Sequence, residues 1–344
     1  MRNGSDRSTA PLLAALCVAV ATLFLTALYC GSVSLPGAEV THALLHGDDG
    51  SLTSVIVLQS RLPMALTALL AGGALALSGL ILQTVFNNPL AGPSILGVSS
   101  GASLGIALIV LGGTLTGLAP GDATSSVNML TGALLGAGAV ILMLVGFSSV
   151  IHSGVMLLIV GVMISYFASS LISVLSYLAP AQQIKDFTIW GMGSFSGITT
   201  GQLPLYATIL VLLSLLTLGS GKPLDALLLG ERYALSLGYR VKITRTWLLA
   251  LSGALAAVVT AYCGPIGFVG IIVPHLARMF FRTSRHSLLL PASFLTGGAV
   301  ALLCAVVSNT LIADTQLPVN VVTPVMGVPV ILLIILQGRR SKLM

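Results

Sequence analysis

Charged side chains are scarce in this chain, and the scarcity has a pattern. Lys, Arg, Asp and Glu make up 7% of the 344 residues, while 56% are hydrophobic. No charge stands between Arg7 and Glu39, between Arg61 and Asp122, or between Asp122 and Lys185. A globular surface must be wetted, so a soluble fold has no use for uncharged runs of that length. A bilayer does require them, because about 20 apolar residues span the hydrocarbon and a charge at its centre costs about 3 kcal/mol.

Other absences narrow the chemistry. Cys17, Cys30, Cys263 and Cys304 form no CxxC pair and fall in or beside apolar runs, the setting of packed thiols. There is no GxxxxGK[ST] phosphate loop, since Gly221-Lys222 is followed by Pro223 and no glycine stands at position 216. HExxH and a GxSxG with a neighbouring base are missing too, so no catalytic, cofactor or metal site is expected in this chain. His42 and His46 have helical ligand spacing but no evident third ligand, and a solvated outer loop accounts for them better. The apolar runs hold no Asp or Glu, which counts against a proton-coupled carrier. Energy for any transport must therefore come from elsewhere. An N-terminal cleavable signal is not expected either, because Pro11–Cys30 is long enough to span and lacks a small-residue cleavage site.

What remains reads as an all-α integral membrane protein of one domain, residues 1–344, with ten spans. They are expected at about 11–30, 62–86, 93–113, 126–147, 155–177, 193–218, 246–262, 266–281, 287–312 and 321–336. Proline, glycine and asparagine mark the breaks, most densely at Asn87-Asn88-Pro89-Leu90-Ala91-Gly92-Pro93. With the N-terminus inside, thirteen of the fifteen Lys/Arg residues are cytoplasmic and only Arg61 and Lys185 face out, so both termini are expected in the cytoplasm. The net charge of +6 then records topology, and no nucleic-acid partner is implied. Span two (Ala71-Gly72-Gly73-Ala74) and span seven (Ser252-Gly253-Ala254-Leu255) are both rich in small residues and run in opposite directions. They suggest two five-helix inverted pseudo-repeats.

Two segments stand out for function. Residues 222–241 form the one long cytoplasmic connection, with Pro223 at the start of a short helix, Gly230 after it, and a second short helix ending at Gly238. Its leucines suit either a partner protein or the lipid surface. In the fifth span Gly161, Ser165, Ser169, Ser173 and Ser176 recur at four, four, four and three residues, and so share one side of a helix. Such a stripe lines a watery path or packs against another helix, and the spacing alone does not choose.

Several stretches then converge. Arg61-Leu62-Pro63, Gly79, Gln83, Asn88-Pro89-Leu90-Ala91 and Leu96-Gly97-Val98-Ser99-Ser100-Gly101-Ala102 resemble the iron-chelate and cobalamin permeases of bacterial ABC importers. So do Leu229-Gly230-Glu231, Ala234, Leu237-Gly238, the run Gly264-Pro265-Ile266-Gly267-Phe268-Val269-Gly270 through Pro274-His275, Leu317-Pro318 and Gly327-Val328-Pro329. The resemblance covers about residues 55 to 340, in order.

It implies a bacterial inner-membrane permease subunit paired with a second copy around a central path, with two ATP-binding cassette subunits below and a substrate-binding protein outside. ATP and Mg would reside on the cassette subunits, and none on this chain. Leu229, Gly230, Glu231, Ala234, Leu237 and Gly238 match the family's coupling helices, Asn88 and Leu90 its cytoplasmic gate, and Ser165, Ser169, Ser173 and Ser176 its pathway-lining helix. Arg61 matches an arginine that docks the binding protein. Relatives often carry a second arginine where this chain has Met64, and Asn309 stands near the place of another, so Arg61 is expected to work with Lys185. The implied cargo is a large iron chelate, a siderophore or haem, with cobalamin the alternative. An ion-coupled secondary carrier would also fit ten spans, but not the ordered motif of residues 222–241. A reporter fused after Leu343 should be active only as a cytoplasmic marker, and one inserted beside Asp49 only as an external marker. An external C-terminus would overturn the ten-span topology.

Overall fold

The computed structural model describes residues 6–113, 126–151, 153–312 and 316–340. Arg2, Asp122, Asp314 and Lys342, which contribute to the expected charge bias, lie outside the described residues. The described residues are mostly helical, with no strand among them. In chain order the helices are α1 (Asp6–Tyr29), α2 (Gly37–His46), α3 (Leu52–Val85), α4 (Val98–Val110), α5 (Ser126–Val150), α6 (Gly154–Leu178) and α7 (Ala181–Gly191). There follow α8 (Leu203–Gly219), α9 (Gly221–Leu228), α10 (Glu231–Ser236), α11 (Val241–Cys263), α12 (Val269–Phe281), α13 (His286–Thr310) and α14 (Val319–Arg340).

Six of these are long and apolar enough to cross a membrane, and α8 with α9, bent by 50°, supplies a seventh. Three further apolar stretches are shorter, Val98–Val110, Val269–Phe281 and Val319–Pro329. The sixth helix of the expected series starts at Leu203, ten residues later than the hydropathy pattern places it. Residues 193–202 are turn, opened by Gly193 at φ 73°. The third and eighth are 13 residues each, because a positive-φ residue, Gly97 or Phe268, starts the helix late. These matched entries are the clearest structural sign of a repeat.

Packing carries the same relation. α3 sits against α12 and α13 of the second half, α11 sits against α4 and α5 of the first, and α3 and α11 cross each other. At that crossing Ser78 Oγ donates to the Ser252 carbonyl at 3.0 Å and Ser252 Oγ to the Ser78 carbonyl at 3.1 Å. The exchange is reciprocal, as across a pseudo-two-fold axis, and it leaves neither buried hydroxyl without a partner in an apolar core. Between helices in lipid there is little hydrophobic drive, so close approach of small residues supplies the attraction. Gly101 and Gly105 of α4 face Gly136 and Gly132 of α5 in this way, and Gly72 of α3 faces Gly297 of α13.

The tightest approach is between Gly79 of α3 and Gly270 of α12, where a Cβ on Gly79 would overlap the Gly270 carbonyl. Gly138 of α5 has open space where its Cβ would be. Gly79→Val should therefore destabilise the protein by about 3 kcal/mol or more, read as a lower inactivation temperature in detergent, while Gly138→Val should leave it unchanged.

Candidate functional site: the two ends of α3 and the exposed helix

Near its N-terminal end, α3 includes a π-helical stretch, Ile56–Arg61, that delivers Arg61 inward. Its side chain is only 5% exposed. The guanidinium donates to the carbonyls of Leu28 at 2.9 Å, Tyr29 at 2.7 Å and Val33, and it packs on Gly31. Leu28 and Tyr29 belong to the last turn of α1, whose carbonyls lack intrahelical partners and form the negative end of the helix dipole. A five-donor cation answers both needs. The charge of Arg61 is thus turned inward, where it ties α1 to α3. Met64 and Asn309 are its neighbours, with Asn309 Nδ2 2.9 Å from Met64 Sδ, around a small cavity that Arg61 also lines. The three positions singled out in the sequence do come together here. Lys185 is exposed, on α7, a helix that packs against α4 and not against α3. Nearby in sequence, the Asp49 carboxyl is held down to about 2 by the Ser51 hydroxyl and backbone N–H.

The serine stripe of α6 is not one surface. Gly161 is buried against Ile95 and Leu96, and Ser165 is half-buried below Gly97 and donates to the Gly161 carbonyl at 3.0 Å. Ser169 and Ser173 are exposed, Ser176 is half-buried, and Ser173 Oγ donates to the Ser169 carbonyl at 2.9 Å. A spacing of four residues advances about 40° per step on a helix of 3.6 residues per turn. The row therefore winds from the packed face onto the open one. Tyr166 and Tyr177 flank it there, both strongly exposed.

At the C-terminal end of α3 the chain turns sharply. Asn87 has φ 45°, and Asn88 is half-buried, its Oδ1 accepting from the Leu90 N–H at 3.0 Å, while Leu90 is exposed. Pro89 cannot donate, so the asparagine side chain closes the turn instead. One turn back on α3, Gln83 Nε2 donates to the Ile271 carbonyl at 3.0 Å, and Arg278 Nη1 donates to Gln83 Oε1 at 2.6 Å.

Beside this turn lie α9 and α10, separated by Gly230 at φ 107° and closed by Gly238 at φ 86°. Leu224 and Ala234 are fully buried and anchor the two helices, whereas Leu229, Tyr233, Leu235 and Leu237 are exposed. Glu231 lies 3.7 Å from Arg245 of α11, which in turn sits 5.9 Å from the centroid of Phe86 at the end of α3. A cavity of about 280 Å³ opens between Phe86, Asn87, Ser153, Gly230, Glu231 and Arg245. Exposed leucines on a rigid, anchored helical pair form a surface suited to a protein partner.

The FecCD transport family matches residues 18–337. The chain belongs to that family. It is 36% identical over 288 residues to the vitamin B12 import system permease protein BtuC of Citrobacter koseri, covering 83% of this chain and 84% of that protein. The counterpart from Klebsiella pneumoniae is 35% identical over 285 residues, covering 83% of each. A metal-chelate type ABC transporter solved in an inward-facing conformation superimposes with a TM-score of 0.83 at 30% identity, over 95% of this chain and 99% of that one. The protein is thus a multi-pass membrane permease of an ABC importer.

Residue patterns alone did not reveal α7, the inward turn of Arg61, or the contacts that bind α9 to α3. The first had a signal in Pro180, which caps α7 and sits before an amphipathic run. The other two depend on long-range geometry. If the outer part of α6 is hydrated, cysteines at Ser169 and Ser173 should react with a small water-soluble thiol reagent in at least one nucleotide state. A cysteine at Ala168, which is buried, should stay protected; equal protection at all three would mean that another helix covers this face.

Proposed function

We propose that this chain is the membrane-spanning subunit of an ATP-driven importer for a bulky metal chelate, with cobalamin as the cargo. The observation that carries the cargo is the pair of vitamin B12 permeases at 36% and 35% identity over more than four fifths of the chain. A large iron chelate is the second reading, favoured by the metal-chelate type transporter that shares the fold at 30% identity.

In this reading two copies face each other in the bacterial inner membrane with both termini in the cytoplasm. The exposed face of α6, with Ser169 and Ser173, borders the path, and Ser165 and Ser176 mark where it meets packed helix. Asn88 and Leu90 form the inner gate. α9 and α10 seat on an ATP-binding cassette subunit, which holds the ATP and Mg, so that Leu229, Glu231 and Leu237 contact it while Gly230, Ala234 and Gly238 set the knuckle's shape. The binding protein lands on the outer mouth, where Lys185 supplies exposed charge and Arg61 keeps the landing surface in place.

Gly230 is the test. Its φ of 107° suits glycine alone, and its Cβ position is open, so the strain of a substitution falls on the knuckle and not on the core. In proteoliposomes holding the permease, its cassette subunit and its binding protein, cobalamin import should be ATP-dependent. Gly230→Leu should lower that import at least about tenfold, as about 1.4 kcal/mol of backbone strain suffices to do. Import of a ferric siderophore and not of cobalamin would favour the second reading, and normal import by Gly230→Leu would remove the docking assignment.

A further inference from the structure

His286 opens α13, is 1% exposed, and bonds to two other elements at once. Its Nδ1 lies 2.7 Å from Asp225 Oδ1 on α9, and its backbone N–H donates to the same oxygen at 2.9 Å. On the other side its Nε2 lies 2.8 Å from Thr84 Oγ1, which also lies 2.9 Å from the Leu80 carbonyl. Asp225 therefore caps the N-terminus of a helix to which it does not belong, while the imidazole passes the connection on to the last turn of α3. Packing alone does not need this arrangement. An apolar residue would fill the space without a polar group to satisfy, and a buried imidazole with one partner removed is costly.

The position of the chain of bonds gives it a use. Asp225 lies between Pro223 and Leu229 on the first helix of the knuckle, and Thr84 lies two residues before Phe86 and four before Asn88. Gln83, next to Thr84, is held by Arg278 and by the Ile271 carbonyl, so the end of α3 is fastened to α12 and α13 together. A displacement of α9 thus reaches the Asn87–Leu90 turn through two short hydrogen bonds and one helix end, with no flexible linker between. We propose that Asp225–His286–Thr84 is the joint that transmits movement of the α9–α10 knuckle to the turn at the end of α3, with His286 as a positioning residue for transport. This deepens the proposed function and rests on its placing of the ATP-binding cassette subunit at α9–α10.

Spatial continuity is not coupling, so the test must read coupling itself. The measurement is ATP hydrolysed per molecule imported, in the assembled complex in proteoliposomes, for wild type, Thr84→Val, Asp225→Ala, Asp225→Asn and the double variant Thr84→Val/Asp225→Ala. Thr84→Val keeps the side chain's shape and removes only the hydroxyl. Asp225→Asn keeps an oxygen that accepts both His286 donors and removes only the charge. The ratio should rise about five-fold in Thr84→Val and in Asp225→Ala, the factor that one net hydrogen bond of about 1 kcal/mol sustains. Asp225→Asn should stay within about two-fold of wild type. The double variant should be no worse than either single one, because both break the same chain.

A wild-type ratio in Thr84→Val would overturn the joint, and so would additive losses in the double variant. If Asp225→Ala does not assemble, Thr84→Val and Asp225→Asn decide: an unchanged ratio in the first, or a five-fold rise in the second, also overturns it. Failure of the underlying reading looks different, since wild type itself would then recruit no ATPase to α9–α10.

Discussion

The crossing of α3 and α11 is the contact on which the rest of the helix arrangement turns. Two helices from opposite halves meet through a reciprocal exchange of serine hydroxyls at Ser78 and Ser252. Each then packs into the other half, α3 against α12 and α13, α11 against α4 and α5. Neither half is a complete body without the helix that the other contributes. In a medium that gives helices little reason to associate, such an exchange replaces hydrophobic collapse with close backbone contact and satisfied polar groups. It also explains why the span with the smallest residues is the most buried: α3 has neighbours on all sides, whereas the long apolar helix α6 is largely open.

That central position makes the two ends of α3 the places where the rest of the molecule is tied in. At the outer end Arg61 clamps the carbonyl end of α1. At the inner end Gln83 and Thr84 engage Arg278 and His286 in successive residues. The middle has no room to adjust, with Gly79 against Gly270. A rod fixed along its length and bonded at its tips moves as a unit, and the turn that follows it moves with it. The knuckle of α9 and α10 sits beside that turn, held by Asp225 from one side and by Glu231 and Arg245 from the other.

Much of this was legible in the residues, and the limits have physical causes. Charge exclusion from hydrocarbon is strong and local, so the membrane class and the positions of most long helices follow from hydropathy alone. Gly230 and Gly238 announced two short helices because positive φ needs glycine and hydropathy falls there. The same reasoning placed the start of α8 too early, since residues 193–202 carry no charge to mark a break, while Gly193 at φ 73° opens a turn there. The even spacing of the serines on α6 concealed a change of environment, because a four-residue period drifts around the helix. Arg61 was read as an outward charge since nothing in its neighbourhood of sequence names Leu28 or Val33, some thirty residues away. His286 and Asp225 are 61 residues apart, beyond any local pattern.

The thirteen-residue helices α4 and α12 bear on how thick a barrier the bilayer presents around this protein. Each rises about 20 Å, roughly 10 Å short of the hydrocarbon it sits beside. Each helix is entered from irregular backbone that ends at Gly97 or Phe268. Lipid tails cannot cover such backbone, so protein or water must. Gly92, in the turn before α4, packs on Ile271 at the foot of α12, and the Gly267 N–H is met by the Asn320 side chain, so part of the task falls to the neighbouring helices. Whatever is left unmet draws solvent inward. Seen from the aqueous side, the dielectric boundary around α4 and α12 is bowed toward the midplane. The apolar septum beside these two helices is thinner than the membrane that holds them.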